Sequence, residues 1–206
     1  VKYLASGVYV PVENSTEEPE SGKDILTTLD VNIQDIAESA LHGMMVENEC
    51  EYGTCIVMEV KTGKIKAMAN LGHRSDGTYY EDLNYAIRTS EPGSTFKLVT
   101  MIALLEGSPV RISDSIQTGN GIYRMYGERI RDHEEGGLGM VSVQKSFEHS
   151  SNIAMAKLIE KHYGSRPKEF FNLVDDLGLS RPLGSQILGE AIPKMTRPTD
   201  KAWSGI

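Results

Sequence analysis

Residues 91 to 97 read Glu-Pro-Gly-Ser-Thr-Phe-Lys, and the stretch they open is apolar on nearly every side, with Phe96, Leu98, Val99, Met101, Ile102, Ala103, Leu104 and Leu105. The pattern predicts a helix from Ser94 to about Glu106, and a helix that is hydrophobic all round belongs inside a core. Ser94 and Lys97 are three residues apart, which puts them on one helix face and within reach of each other. Burial disfavours the charged form of a lysine. Held there as a free amine, Lys97 is able to take a proton from the Ser94 hydroxyl, which makes a nucleophilic serine with its own base.

The same Ser-x-x-Lys spacing occurs at Ser142/Lys145 and Ser165/Lys168. Each of those serines precedes a helical stretch and reads as an N-cap, Ser165 with Pro167 in the first turn behind it. Only Ser94 follows a Pro-Gly turn that can set a nucleophile at a helix N-terminus, and only its helix is apolar enough to desolvate the lysine. A second constellation, Ser150-Ser151-Asn152, falls where a helix from Asn152 to about Tyr163 begins. Alone it reads as an N-cap. Partnered with Ser94 and Lys97, a hydroxyl and a carboxamide that both donate and accept can relay a proton and hold a substrate amide.

The elements that must position these groups follow from pattern. Asp30 caps a helix from Val31 to about Val46, whose Ile33, Ile36, Ala37, Ala40, Leu41, Met44 and Met45 form a one-sided apolar stripe expected to lie on a sheet. Strand-like runs at 54–60 and 64–69 flank Lys61-Thr62-Gly63, which reads as a hairpin turn. Residues 70–90 are a connection whose Tyr79, Tyr80 and Tyr85 read as packing residues. Residues 107–141 are Gly-rich with short alternating runs, a loop with small strands, and Asp132, His133 and Glu134 read there as a solvated charge cluster. A helix from Arg166 to Leu177 stops at Gly178, and Pro182, Pro193 and Pro198 break the tail. Residues 1–23 read as a linker or extended arm with a strand-like patch at 7–12, and residues 24–206 as the N-terminal portion of one domain.

The chain has 206 residues, 39% of them hydrophobic, enough for one core or for one and a part. A net charge of −8 without a basic stripe argues against nucleic acid as a partner. No apolar run approaches the length of a membrane span. Cys50 and Cys55, the only cysteines, read as two free thiols, with a disulfide requiring the loop before the strand to fold back. The five histidines and two cysteines supply no metal-ligand spacing, so no metal or cofactor is expected.

Taken together, these residues resemble the penicillin-binding proteins, and within them the monofunctional class B transpeptidases. The resemblance extends from the segment Gly22 to Asp30 with Ile33-Gln34, through Val60-Lys-Thr-Gly-Lys-Ile-Lys-Ala-Met-Ala-Asn70 and Asn84-Tyr85-Ala86, to the Glu91–Lys97 segment and Ser150-Ser151-Asn152. It implies an α+β fold with an antiparallel sheet, a buried nucleophile-bearing helix and a helical lobe. It implies Ser94 as acylated nucleophile, Lys97 as general base, and Ser150 and Asn152 as proton relay and substrate-amide contact. The activity implied is peptidoglycan D,D-transpeptidation in cell-wall synthesis. Implied partners are stem peptides ending in D-Ala-D-Ala, β-lactam antibiotics, and membrane-bound wall-synthesis or division proteins. The implied location is extracytoplasmic, on the periplasmic side, with the parent anchored by a segment not in this chain.

One departure is large: the third motif of that family, a Lys-Thr/Ser-Gly following Ser-x-Asn, is absent after Asn152, and the one Lys-Thr-Gly precedes the nucleophile. Residues 1–206 by themselves are therefore expected to be inactive. Other readings of the same residues are a β-lactam sensor domain, a serine β-lactamase with Ser-Thr-Phe-Lys, and a non-catalytic wall-assembly partner; the long segment from Gly22 speaks against the β-lactamase.

Overall fold

The computed structural model describes residues 21–197, together with the backbone of Lys2–Tyr3 and Tyr9–Val10. Those two short strands, β1 (Lys2–Tyr3) and β2 (Tyr9–Val10), pair antiparallel; of the rest of the expected arm, residues 21–23 are exposed and outside any helix or strand, and the remainder lies outside the described residues. The chain divides into two compact units, residues 1–86 and 87–206.

In the first unit, helix α1 (Val31–Glu47) starts where expected, because the Asp30 carboxylate accepts the N–H groups of Asn32 and Ile33 at 3.0 and 3.2 Å. It lies on an antiparallel sheet of β3 (Tyr52–Met58), β4 (Ile65–His73) and β5 (Tyr79–Tyr80), in the order β3-β4-β5. Ala37, Ala67 and Ala69 form the buried contact, with Ile33, Leu41, Cys55 and Val57 around it. Strand β5 pairs with β4 only at Gly72 and His73. Lower down, the Gln34 side chain takes the place of a neighbouring strand: it accepts from Met68 N at 2.8 Å and donates to Met68 O at 3.2 Å.

The expected stripe on α1 is only partly used. Ala37 and Met45 are buried, but Ile36 and Met44 are 70% and 58% exposed, because the surface below offers two full strands and one of two residues. Between β3 and β4, Gly63 N donates to Glu59 O at 2.8 Å with Gly63 at φ 70°, so Lys61-Thr62-Gly63 is the predicted hairpin turn. The tyrosines pack as predicted: Tyr79 donates to Met45 O at 3.0 Å and Tyr85 stacks on Tyr52 at 4.8 Å. Cys50 and Cys55 are both free and half-buried.

In the second unit, a 3-10 turn (Gly93–Phe96) leads into helix α2 (Lys97–Gly107). The Gly-rich segment carries β6 (Ser115–Gln117), β7 (Ile122–Met125), β8 (Glu128–Arg131) and β9 (Met140–Ser142), paired as β6-β9 and β7-β8. Helices α3 (Val143–Glu148), α4 (Asn152–Tyr163) and α5 (Pro167–Asp176) follow. The core joins Met101, Ala103 and Leu104 of α2 to Ala154, Met155, Leu158, Ile159 and Tyr163 of α4 and to Phe170, Phe171 and Val174 of α5.

Three expectations need correction or refinement here. Helix α2 is not buried all round: α4 and α5 cover one side, and Leu98 and Leu105 are 56% and 42% exposed. Ser142 does cap α3, accepting from Lys145 N at 3.1 Å, but Ser165 caps nothing. The boundary residue of α5 is Arg166, because the proline at 167 drives its predecessor out of the helical region. Residues 178–197 contain no helix or strand, as the prolines indicated, and Pro198 lies outside the described residues. Among the described residues, no helix is long and apolar enough to cross a membrane.

Where α2 ends against α4, Tyr163 donates to Ala103 O at 2.5 Å, and a Cβ at Gly107 would collide with the Tyr163 hydroxyl. Gly107→Ala is expected to cost about 1–3 kcal/mol in a denaturant titration. In a Tyr163→Phe background the nearest atom becomes the ring carbon at 3.3 Å, and the cost falls by more than half. Equal costs in the two backgrounds refute the contact.

Candidate active site

The nucleophile candidate is set by the turn that precedes α2. Pro92 and Gly93, the latter at φ 57°, bring the chain into the 3-10 turn, and Ser94 is exposed on it. One turn on, Lys97 is the first residue of α2 and is 5% exposed, a buried amine at the start of a helix. That placement is unfavourable for charge on two counts, because burial removes hydration and the N-terminal end of the helix dipole is positive.

Three oxygens surround the Lys97 amine. Nζ lies 3.2 Å from Ser94 Oγ, 2.6 Å from the Ser150 carbonyl oxygen and 2.8 Å from Ser150 Oγ. An ammonium donates to all three. A neutral amine donates to the two Ser150 oxygens and turns its lone pair to the Ser94 hydroxyl, the arrangement a general base needs. Desolvation holds the Lys97 amine below the ordinary lysine range, and the Asp132 carboxylate opposes that shift.

Ser150 reaches Lys97 by an unusual route. It is one of three non-glycine residues at positive φ among those described, at 53°, in the tight turn between α3 and α4. Ser150 N donates to Phe147 O at 2.9 Å and Ser151 N to Ser146 O at 2.8 Å, which closes the turn. Ser151 is the N-cap of α4, its Oγ accepting from Ala154 N at 3.0 Å. Asn152 stands at the first position of α4 and donates from Nδ2 to Arg131 O at 2.8 Å, which ties the helix start to the end of β8.

The structure thus brings Ser94, Lys97 and Ser150 into one hydrogen-bonded group. Asn152 joins through the chain, two residues on, and is bonded to none of the three. The charge cluster after β8 divides. His133 and Glu134 are exposed, Glu134 pairing with His149 at 3.0 Å, as a solvated cluster does. Asp132 departs from that reading: it accepts from Ser151 Oγ at 2.8 Å and from Ile153 N at 3.0 Å, at the foot of α4. A carboxylate near a helix start is a recognisable signal, but its helix lies 19 positions downstream, beyond any capping pattern. Among the described residues, no three of His, Cys, Asp and Glu gather closely enough to hold a metal ion.

Residues 53–203 match the family described as the penicillin binding protein transpeptidase domain. Stage V sporulation protein D of Bacillus subtilis is 26% identical over 195 residues, covering 90% of this chain and 30% of that protein. Peptidoglycan D,D-transpeptidase FtsI of Buchnera aphidicola is 25% identical over 202 residues, covering 92% of this chain and 34% of that protein. Among solved structures, the transpeptidase domain of Burkholderia pseudomallei penicillin-binding protein 3 superposes with a TM-score of 0.66 at 25% identity, covering 84% of this chain and 48% of that one. The chain spans about a third of the length of the curated relatives it matches. With the family match running over most of its length and its fold shared with such domains, the chain belongs to the penicillin-binding protein transpeptidase domain family, in the class B group.

Proposed function

We propose that this chain carries the acylating centre of a serine-type peptidoglycan D,D-transpeptidase. The observation behind the reading is the buried Lys97 amine, shared between Ser94 Oγ and both oxygens of Ser150. As a free amine, Lys97 takes the Ser94 proton while Ser94 Oγ attacks the carbonyl carbon of the penultimate D-Ala of a stem peptide. The N–H groups at the start of a helix lack acceptors within it, so the backbone N–H of Ser94 supplies one donor for the developing oxyanion. Collapse of the tetrahedral intermediate breaks the peptide bond, the terminal D-Ala amine takes a proton by way of Ser150 Oγ, and an acyl-Ser94 ester remains. An amine of a neighbouring strand then attacks the ester, completing the cross-link and restoring Ser94.

The reading draws its substrate from the relatives named as peptidoglycan D,D-transpeptidases. It also carries β-lactams as acylating mimics, an extracytoplasmic location, and a membrane-anchored parent working with wall-synthesis or division proteins. A second oxyanion donor and a strand edge for the peptide belong, on this reading, to a Lys-Thr/Ser-Gly strand of the whole protein.

In the full-length protein, Ser94→Ala is expected to abolish covalent labelling by a fluorescent penicillin while shifting stability by no more than about 1 kcal/mol, the scale of a helix-start hydroxyl. Undiminished labelling overturns the nucleophile assignment.

Lys97→Ala is expected to slow acylation by at least ~10²-fold, the loss of a general base. The pH profile carries the sign of the burial effect. Only the neutral amine is a base, so the rate rises with pH through the Lys97 titration, and burial places that rise on the acid side of the ordinary lysine range. A rise at or above the ordinary lysine value refutes a desolvated base.

Lys61→Ala is expected to change acylation by less than about threefold, because a hairpin-turn side chain contributes no more than ~0.5 kcal/mol. A loss like that of Lys97→Ala would show Lys61-Thr62-Gly63 to be a working motif.

A further inference from the structure

One charged group is built into the same turn without touching the nucleophile. Asp132 follows directly on β8, half-buried, and its two oxygens take separate donors, Oδ2 from the Ser151 hydroxyl at 2.8 Å and Oδ1 from the Ile153 N–H at 3.0 Å. Ser151 is 1% exposed, and its Oγ accepts the Ala154 N–H while its hydrogen goes to Asp132. A carboxylate and a hydroxyl in series therefore satisfy two of the N–H groups at the start of α4, at the end of the helix where negative charge is favoured.

This chain of contacts ends one residue from Ser150. A serine at φ 53° persists only where its surroundings over-determine it. On one side the backbone bond from Ser150 N to Phe147 O fixes the turn. On the other side stands Ser151, held by its side chain to Asp132. The twist between the two turns both the carbonyl and the hydroxyl of Ser150 to the Lys97 amine, at 2.6 and 2.8 Å. Asp132 thus does two things at once: it caps α4 through the Ile153 N–H and it takes the hydrogen of the buried Ser151 hydroxyl, which fixes the side chain of the residue next to Ser150.

We propose that Asp132 is a positioning residue of the acylation site: by clamping Ser151 and the first turn of α4 it holds Ser150 in the left-handed conformation that presents its carbonyl and hydroxyl to Lys97. The inference rests on the reading of Ser94 as an acylated nucleophile. Asp132 touches neither the substrate nor Ser94. Its hydrogen bonds reach the site through Ser151, while its charge favours the Lys97 ammonium, and loss of the clamp disturbs the rate of the chemical step rather than the capture of the ligand.

The test is pre-steady-state acylation of the full-length protein by a fluorescent β-lactam over a range of concentrations, which separates the saturating rate from the half-saturating concentration. Asp132→Ala is expected to lower the saturating rate by between about tenfold and about 10²-fold, the scale of a small misplacement of a catalytic group, with the half-saturating concentration within about twofold of wild type. Asp132→Asn keeps the shape and one acceptor for Ile153 but reverses the bond to Ser151, and is expected to fall between Asp132→Ala and wild type. Because Asp132 and Ser151 act along one path, the Asp132→Ala/Ser151→Ala double variant is expected to lose little more than the worse single variant. Unchanged saturating rates in Asp132→Ala and Asp132→Asn overturn the role, and so does an additive double variant. Asp132→Asn and Ser151→Ala carry the same test where alanine at 132 unfolds the protein. Labelled wild type with unaffected variants defeats this inference alone, whereas a wild-type protein that takes no label defeats the acylation reading and this inference with it.

Discussion

The second unit is organised around the desolvation of one amine. Lys97 opens α2 at a position where neither hydration nor the helix dipole supports an ammonium, so its hydrogen-bonding needs fall to whatever oxygens the fold brings to it. Those oxygens come from two places, Ser94 one turn back and Ser150 at the start of another helix. Ser150 arrives there because α4 packs along α2 through Ala154, Met155, Leu158 and Tyr163 against Met101, Ala103 and Leu104. Apolar packing sets the distance between the helices, and polar contacts at their ends set the chemistry.

The geometry at Ser150 shows how such a site trades local comfort for orientation. A glycine would occupy its backbone conformation without strain, but would bring no hydroxyl. Serine accepts the strain and offers two oxygens to one nitrogen. The cost is met by the surroundings: a closed turn between α3 and α4, a buried N-cap at Ser151, and the Asp132 carboxylate behind it. The amine feels that carboxylate too, so the group that shapes the turn also moderates the loss of basic strength that burial alone would cause.

Much of this was legible in the sequence because it is local. The Asp30 cap, the turn at Gly63, the start of α4 at Asn152 and the Ser94/Lys97 pairing each depend on residues a few positions apart, and each appears in the structure. Contacts between distant segments were legible only where the family resemblance supplied them, as for Ser150 beside Ser94 and Lys97. Asp132 looked like part of an exposed loop because its partners lie 19 and 21 positions on, and the two exposed residues after it fit that reading. Likewise, an all-apolar helix suggested burial on every side, yet which side is covered depends on how many helices pack against it, and α4 and α5 leave Leu98 and Leu105 outside. Ser165 followed the rule for a cap, but the proline two positions later moved the boundary.

The Lys97–Ser150 contacts join residues 53 positions apart, which has a consequence in time. Before α4 docks on α2, Lys97 is an ordinary hydrated ammonium and Ser94 an ordinary alcohol. A nascent or unfolded chain thus holds no desolvated amine, and the shared hydrogen-bonded group forms in the same step that buries the core. The grouping of Ser94, Lys97 and Ser150 is a property of the folded state rather than of the Ser-x-x-Lys segment, which by itself supplies only one of the three oxygens around the amine.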